Sequence, residues 1–331
     1  MKRSKIRPAA GALAALILTS ACATQSAPGG LPATDAPGAR TGSPPGATRI
    51  AAIRNAIRRK SHVDPAAHNG RLLYVADVGT DSLFVYTYPQ LSGAGVIWGF
   101  GSVNGVCTDR QGYVWVLDTS DSVAWEFAHG ATEPIAYVQT GDVSGNPGVG
   151  NGCAVNAKTG DLAVAGVGAG FTVFRNGQET HSTYWDYNFF EFTYVGYDGA
   201  GNLFADGLLG SSLAFGLVEL PKGSSTVNDV TLSGAAPKAA GGIEWDGRYL
   251  DIGDSTSGTI YQTNGSTVLG SVNTGAQCMH GFYILANHKR VIGTDPCNSQ
   301  TGVYAYPAGG DAIKTVSGGQ LYPYGVAISV R

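Results

Sequence analysis

"GNLFADG", residues 201–207, decides the fold, because the chain writes it again and again. "GYVWVLD" begins at Gly112, "GDLAVAG" at Gly160 and "GRYLDIGD" at Gly247. A glycine, a short apolar run and a closing turn residue, repeated at intervals, mark one strand of a recurring unit. Working outward from each copy gives a repeat of roughly 40–48 residues, the range of a propeller blade. Each copy reads as an inner strand, a turn, a second strand, a turn, a third strand and a looser fourth. The inner strands are "NGVCTD" (104–109), "NGCAVN" (151–156), "TYVGYD" (193–198), "GGIEWD" (241–246), "HGFYIL" (280–285) and "YGVAIS" (324–329). Second strands fall at 72–77, 113–118, 161–166, 202–207, 249–254 and 291–295, and third strands include 82–88, 122–128, 171–176, 217–222, 259–263 and 303–307. β-Branched and aromatic residues between Gly, Asp, Asn and Ser turns support strands throughout.

The phase of the repeat predicts how the ring closes. The folded part begins on a second strand, "LLYVAD", and ends on an inner strand, "YGVAISVR". The last strand lacks the partners that the first strands offer, and pairing them removes two open sheet edges. The expected fold is all-β: a six-bladed β-propeller with four-stranded antiparallel blades, closed by the C-terminal strand joining the N-terminal blade.

The stretch "VNGVCTDRQGYVWVLDTSDSVAWEF" (103–127) resembles an NHL-type repeat: Pro/Asn-x-Gly-Val-x-x-Asp, a glycine, a strand ending in Asp and a hydrophobic third strand. The likeness extends over all six copies, from about residue 71 to 331. The arrangement is similar to bacterial propeller lipoproteins in the broad gluconolactonase/regucalcin-like superfamily. That resemblance implies a fold and leaves function to the site, since such folds host enzymes and binders alike.

The first residues read as an address. "MKRSKIR" is a basic region, "PAAGALAALILTS" an apolar run shorter than the roughly 20 residues of a membrane span, and small residues precede Cys22. "LTSAC" resembles the bacterial lipobox, in which the cysteine is acylated; Thr19 stands where that motif has leucine. The expected organisation is a lipoprotein-type signal peptide over 1–21, a Pro/Gly/Ala-rich tether over 22–48, a short basic amphipathic segment over 49–70 and the propeller over 71–331. Such a tether cannot bury enough apolar surface to offset its ordering entropy. "RIAAIRNAIRRK" (49–60) has Ile50, Ile53 and Ile57 at helical spacing, suited either to an anionic membrane surface or to closing the bottom of the domain. The expected location is the cell envelope, periplasmic or surface-exposed, with the membrane as partner through the lipid.

Charge divides along the chain. Ten of the 21 Lys and Arg residues lie in 1–60 beside one acid, Asp35; residues 61–331 hold eleven bases against 23 acids. An acidic body without a basic stripe argues against nucleic acid.

Five cysteines in an exported chain invite pairing. With Cys22 lipidated, Cys278 and Cys297 face each other across a hairpin whose turn is "ANHK" (286–289). Cys107 and Cys153 fall on inner strands of adjacent copies, either bridged or as two buried thiols. Aspartates close or neighbour five second strands: Asp77, Asp118, Asp206, Asp254 and Asp295. Their regular placement points to turn caps rather than calcium loops.

The residue before each inner-strand glycine should rim the central channel on the face that carries the connections between blades. Round the ring these are Asn104, Asn151, Thr193, Gly241, His280 and Tyr324. Five of the six can hydrogen-bond, where a purely structural slot would repeat one type. In the gluconolactonase group, asparagines in comparable places join a Glu and an Asp around a divalent metal. Asn104 and Asn151 fit that pattern, with His280 a further ligand, but no acid completes it. No cofactor is therefore favoured, and a divalent metal such as calcium is the alternative. Above the rim lies "YWDYNFFEFTY" (184–194), whose alternation sends one set of aromatics inward and offers another, with Trp185 and Tyr187, to a sugar, aromatic or peptide ligand. Gly-rich 140–152 is a second long loop on that face, with no following helix to cradle phosphate. No nucleophile elbow or HExxH motif is present. The expected function is a binding or scaffold module that holds a small molecule or protein at the channel face; the alternative is a metal-dependent, lactonase-like hydrolase or lyase at the channel mouth.

Overall fold

In a computed structural model of the protein, which describes residues 45–140 and 148–331, six antiparallel sheets are arranged as the blades of a ring. Cys22, the signal segment and most of the tether lie outside the described residues, as do positions 141–147 of the Gly-rich loop. Blade 1 contains Arg71–Asp77, Ser82–Tyr88 and Gly93–Ile97, and Pro323–Ser329 supplies its innermost strand. Blade 2 is Val103–Thr108, Val114–Asp118, Val123–Phe127 and Pro134–Gln139. Blade 3 is Gly148–Val155, Leu162–Val167, Gly170–Phe174 and His181–Trp185; blade 4 is Phe189–Tyr197, Leu203–Leu209, Phe215–Leu220 and Asn228–Asp229. Blade 5 is Ile243–Trp245, Leu250–Gly253, Thr259–Asn264 and Thr267–Asn273; blade 6 is Phe282–Ile284, Arg290–Asp295, Gln300–Ala305 and Lys314–Val316.

The ring closes as the repeat phase requires. Leu72 pairs with Ser329, Tyr74 with Ala327 and Ala76 with Gly325. Blade 1 also gains a fifth, outermost strand, His62–Val63, paired with Val96 and Gly95. The addition is possible because Gly95 has no side chain: a Cβ there would lie 2.0 Å from the His62 carbonyl oxygen.

The core lies at the seams. Six apolar clusters occupy the described residues, one between each pair of adjacent blades. Second strands are buried on both faces, so they read as near-continuous apolar runs rather than as alternating ones. In "LLYVA" the strand pleat sends Leu72 and Tyr74 into the seam with blade 2, and Leu73 and Val75 into the seam with blade 6.

The basic segment forms a helix, Pro45–Lys60, which begins four residues inside the expected tether, on a proline that suits a first helical turn. Its Ile50 and Ile57 are buried in the cluster between blades 1 and 2, and Ile53 packs beside them. Arg49 pairs with Asp121, and Arg54 Nε donates to the Pro134 carbonyl at 3.1 Å. The apolar stripe of the helix therefore faces protein, across the outer seam of the first two blades.

The second-strand aspartates act as the spacing implies and extend further. Asp77 accepts from Thr80 N in its own turn, and from Leu321 N and Tyr322 N in the segment entering the innermost strand. Asp118 accepts from Gly101 N and Ser102 N, Asp254 from Lys238 N, and Asp295 from Gln277 N and Cys278 N. Each carboxylate ties the blade-to-blade crossover onto the blade it feeds. Blade 3 has Gly166 at this position.

The expected Cys278–Cys297 disulfide is present, and of the two alternatives for Cys107 and Cys153 the structure has the bridge.

Candidate functional site

The repeat glycine explains how the channel is built. Inner strands converge on the axis, and there is no room between them for a side chain. A Cβ on Gly105 would lie 2.5 Å from the Asn151 oxygen, on Gly281 2.5 Å from the Tyr324 oxygen, and on Gly325 2.8 Å from the Asn104 oxygen. Blade 4 is the exception: it carries Tyr194 at that level, and its close approach moves to Gly196, beside the Ile243 oxygen.

Immediately before these glycines the rim residues face the crossover side, and neighbours on the ring meet in pairs. Asn104 Nδ2 donates to Asn151 Oδ1 at 2.7 Å. The His280 and Tyr324 rings lie 4.2 Å apart, with Tyr322 5.5 Å beyond Tyr324. Burial pulls the His280 pKa down to about 4, so its ring is neutral at physiological pH. Burial, helped by the nearby Tyr322 and Glu191, raises Tyr324 to about 12. Thr193 is buried and Gly241 offers backbone only; Gly241 N donates to Asp206.

"YWDYNFFEFTY" is two strands and a crossing rather than one alternating strand. Tyr184 and Trp185 end the outer strand of blade 3, Asp186 caps a turn by accepting from Asn188 N, and Phe189 begins the inner strand of blade 4. Phe189, Phe192 and Tyr194 are buried. Trp185 stacks on Tyr187 at 6.0 Å with the rings 9° apart, and Tyr187 is 84% exposed. Phe190 stands out of the same crossing. This is a projecting aromatic platform on the crossover face.

The level beyond the glycines, Val106, Cys153, Val195, Ile243, Phe282 and Val326, forms an apolar waist with a void of only 30 Å³. One level further the six strands carry Cys107, Ala154, Gly196, Glu244, Tyr283 and Ala327. Small residues on three blades leave a funnel of 380 Å³, open on the opposite, hairpin face. Glu244 stands on its wall and also borders the waist. Burial pushes the Glu244 pKa up to about 8. Tyr283 beside it is raised to about 12, first by burial and then by the Glu244 charge. Within the strand "GGIEWD" the repeat pattern gives this carboxyl no role. The available signal was that Glu244 is the one acid at its level in six aligned strands.

The structure thus brings Asn104 to Asn151 and His280 to Tyr324, sets Trp185 on Tyr187 away from the rim pairs, and places the channel carboxyl beyond the waist. Among the described residues the one group of three acidic, thiol or imidazole ligands is Cys278, Asp295 and Cys297, whose sulfurs are bonded to each other. His129 Nδ1 lies 2.7 Å from Ser329 Oγ, but that serine is buried and donates to the Gly112 carbonyl, so it holds the closing strand to blade 2.

No family model matches the chain, and no curated protein matches it. Among solved structures it is similar to a chain from a nidogen/laminin complex, at 13% identity and a TM-score of 0.65, over 79% of this chain and 99% of that one. It is also similar to a protein of unknown function from Bacteroides caccae, at 11% identity and a TM-score of 0.58, over 79% and 100% of the two chains. At these identities the likeness is one of fold.

Proposed function

We propose that the protein is an exported, lipid-tethered binding module of the cell envelope that holds its ligand on the crossover face of the propeller. The observation that carries this reading is the exposed platform of Trp185 stacked on Tyr187 at the crossing from blade 3 to blade 4. Exposed, pre-stacked aromatic rings suit the flat faces of sugars or aromatic and peptide side chains. Asn104, Asn151, Thr193, His280 and Tyr324 supply hydrogen-bonding groups at the channel rim, apart from the platform. Acylation of Cys22 provides the anchor and residues 23–44 the reach, and the same proposal includes the NHL-type repeat and the place in the gluconolactonase/regucalcin-like group. Export is in keeping with two disulfides, which persist in oxidising compartments.

Tryptophan fluorescence titrated with oligosaccharides and with aromatic peptides tests the platform. One of these classes should bind the native chain and bind Tyr187→Ala at least about tenfold more weakly, a loss of about 1.4 kcal/mol. Identical isotherms for the two proteins would remove the platform from the reading. For the anchor, Cys22→Ser should move the protein from the membrane to the soluble fraction and abolish labelling by a fatty acid; continued membrane association would refute lipid tethering.

A second reading, a lactonase-like hydrolase or lyase, draws on Asn104 and Asn151 as neutral oxygen donors and on Glu191, close enough to Tyr324 for its charge to act there. Chelator-sensitive metal content together with lactone turnover would favour it.

A further inference from the structure

We propose that the funnel on the hairpin face is a second binding site, for a small amine-bearing zwitterion whose ammonium sits on Glu244 and whose anionic end faces Arg110 and Lys158. This goes beyond the crossover-face reading and does not depend on it.

The contrast among acids in this protein carries the assignment. Asp77, Asp118, Asp206 and Asp295 are buried, and each accepts at least two backbone N–H bonds. Glu244 is half-buried on the channel wall and makes no hydrogen bond with any described residue. A carboxyl on the funnel wall without a protein donor is open to a ligand's donor, and nothing in the fold requires it, since other blades place Ala154, Gly196 or Ala327 at the same level. Those small residues also leave the volume that a ligand would fill, 380 Å³, within the range of small-molecule sites.

The lining selects the ligand chemistry. Val106, Ile243 and Val326 form apolar walls, where an ammonium–carboxylate pair is stronger than in water. The phenol of Tyr283 stands beside the carboxyl. At the mouth are two of the eleven bases of residues 61–331, Arg110 and Lys158. Lys158 Nζ donates to the Gly199 carbonyl, whereas Arg110 is exposed and has no ion-pair partner among the described residues. A carboxyl floor that ionises when an ammonium sits on it, below a positive rim, favours a molecule with both charges. A bare divalent ion fits less well: the other carboxylate at the funnel, Asp198, is engaged by Ala200 N, Gly201 N and the Asn202 side chain.

Titration calorimetry of the full chain with 5-aminopentanoate, γ-aminobutyrate, n-butylamine and butyrate tests this directly. The two zwitterions should bind, butylamine about tenfold more weakly, and butyrate not at all. Glu244→Gln, which keeps the side-chain shape, should weaken the zwitterions at least about tenfold. Arg110→Ala, on the exposed rim, should lower zwitterion affinity towards that of butylamine while leaving butylamine unchanged, and it keeps the test decisive should the Gln variant misfold. Trp185→Ala should have no effect. Equal binding by native and Glu244→Gln chains, butyrate binding as well as the zwitterions, or no heat from any probe at millimolar concentration would each overturn the proposal.

Discussion

Blades 2 and 3 are joined by a covalent bond, whereas blades 5 and 6 are joined by hydrogen bonds through a buried phenol. At the first seam Cys107 and Cys153 bridge adjacent inner strands. At the second, Tyr306 of blade 6 reaches into blade 5, with its hydroxyl 2.8 Å from both Asp246 Oδ2 and Asp251 Oδ2, and accepts from Gln262 Nε2 at 2.8 Å. A phenol has one hydrogen to give, so one of the two acids must carry its own proton. Asp246 already accepts from Arg248 N and Tyr249 N, whereas Asp251 Oδ1 is buried with no hydrogen-bond partner among the described residues. Asp251 is fully buried, its pKa is pushed up to about 8 by burial first and by its acidic neighbours after, and it holds the proton. Neighbouring blades of one ring thus use chemistries with different sensitivities, the one to reductant and the other to pH.

The sharpest way to break this comparison is to cut the bond. Cys107→Ala with Cys153→Ala should cost about 4 kcal/mol, against about 3 kcal/mol for the shorter Cys278–Cys297 loop, on the loop-closure account. Denaturant unfolding with and without reductant reads both; equal losses would show that the entropic account fails here. Next in size, Tyr306→Phe leaves two buried carboxyl oxygens without a partner and should cost about 1–3 kcal/mol, unaffected by reductant. The pH dependence is the most diagnostic. Asp251 binds its proton more tightly when folded than when unfolded, so its contribution is complete below the ordinary aspartate pKa and is lost as pH rises through about 8. Glu244 acts in the same direction over the same window. Tm should therefore fall as pH rises from about 4 to 8, and less steeply in Asp251→Asn. A native Tm that climbs across that interval would contradict the protonated Asp251.

The two seams also separate what could be read from the chain from what could not. The cysteines were legible because backbone geometry sets their positions: hairpin register opposes Cys278 to Cys297, and the repeat places Cys107 and Cys153 on neighbouring inner strands. The inner glycines and second-strand aspartates recur for the same reason, since backbones approach closely, or need tying, once per blade. Tyr306, Asp246, Asp251 and Gln262 carry no such signal, because they come from separate strands and meet only when two blades pack. The pairing of residues along the rim depends on side-chain reach, and the break at Asp186 in the aromatic stretch depends on a local turn. Glu244 was hidden differently. It breaks the pattern of its level, and a search for repeats looks for what stays the same.

The innermost strand of blade 1 has a temporal consequence. Of the strands that build the ring, Pro323–Ser329 is synthesised last, yet it occupies the innermost position of blade 1. Until it emerges, Arg71–Asp77 waits with one side unsatisfied while more than two hundred residues fold between them. The slow event in maturation is then this long-range docking. A chain interrupted before it would leave the edge of Arg71–Asp77 open to the equivalent strand of a second molecule.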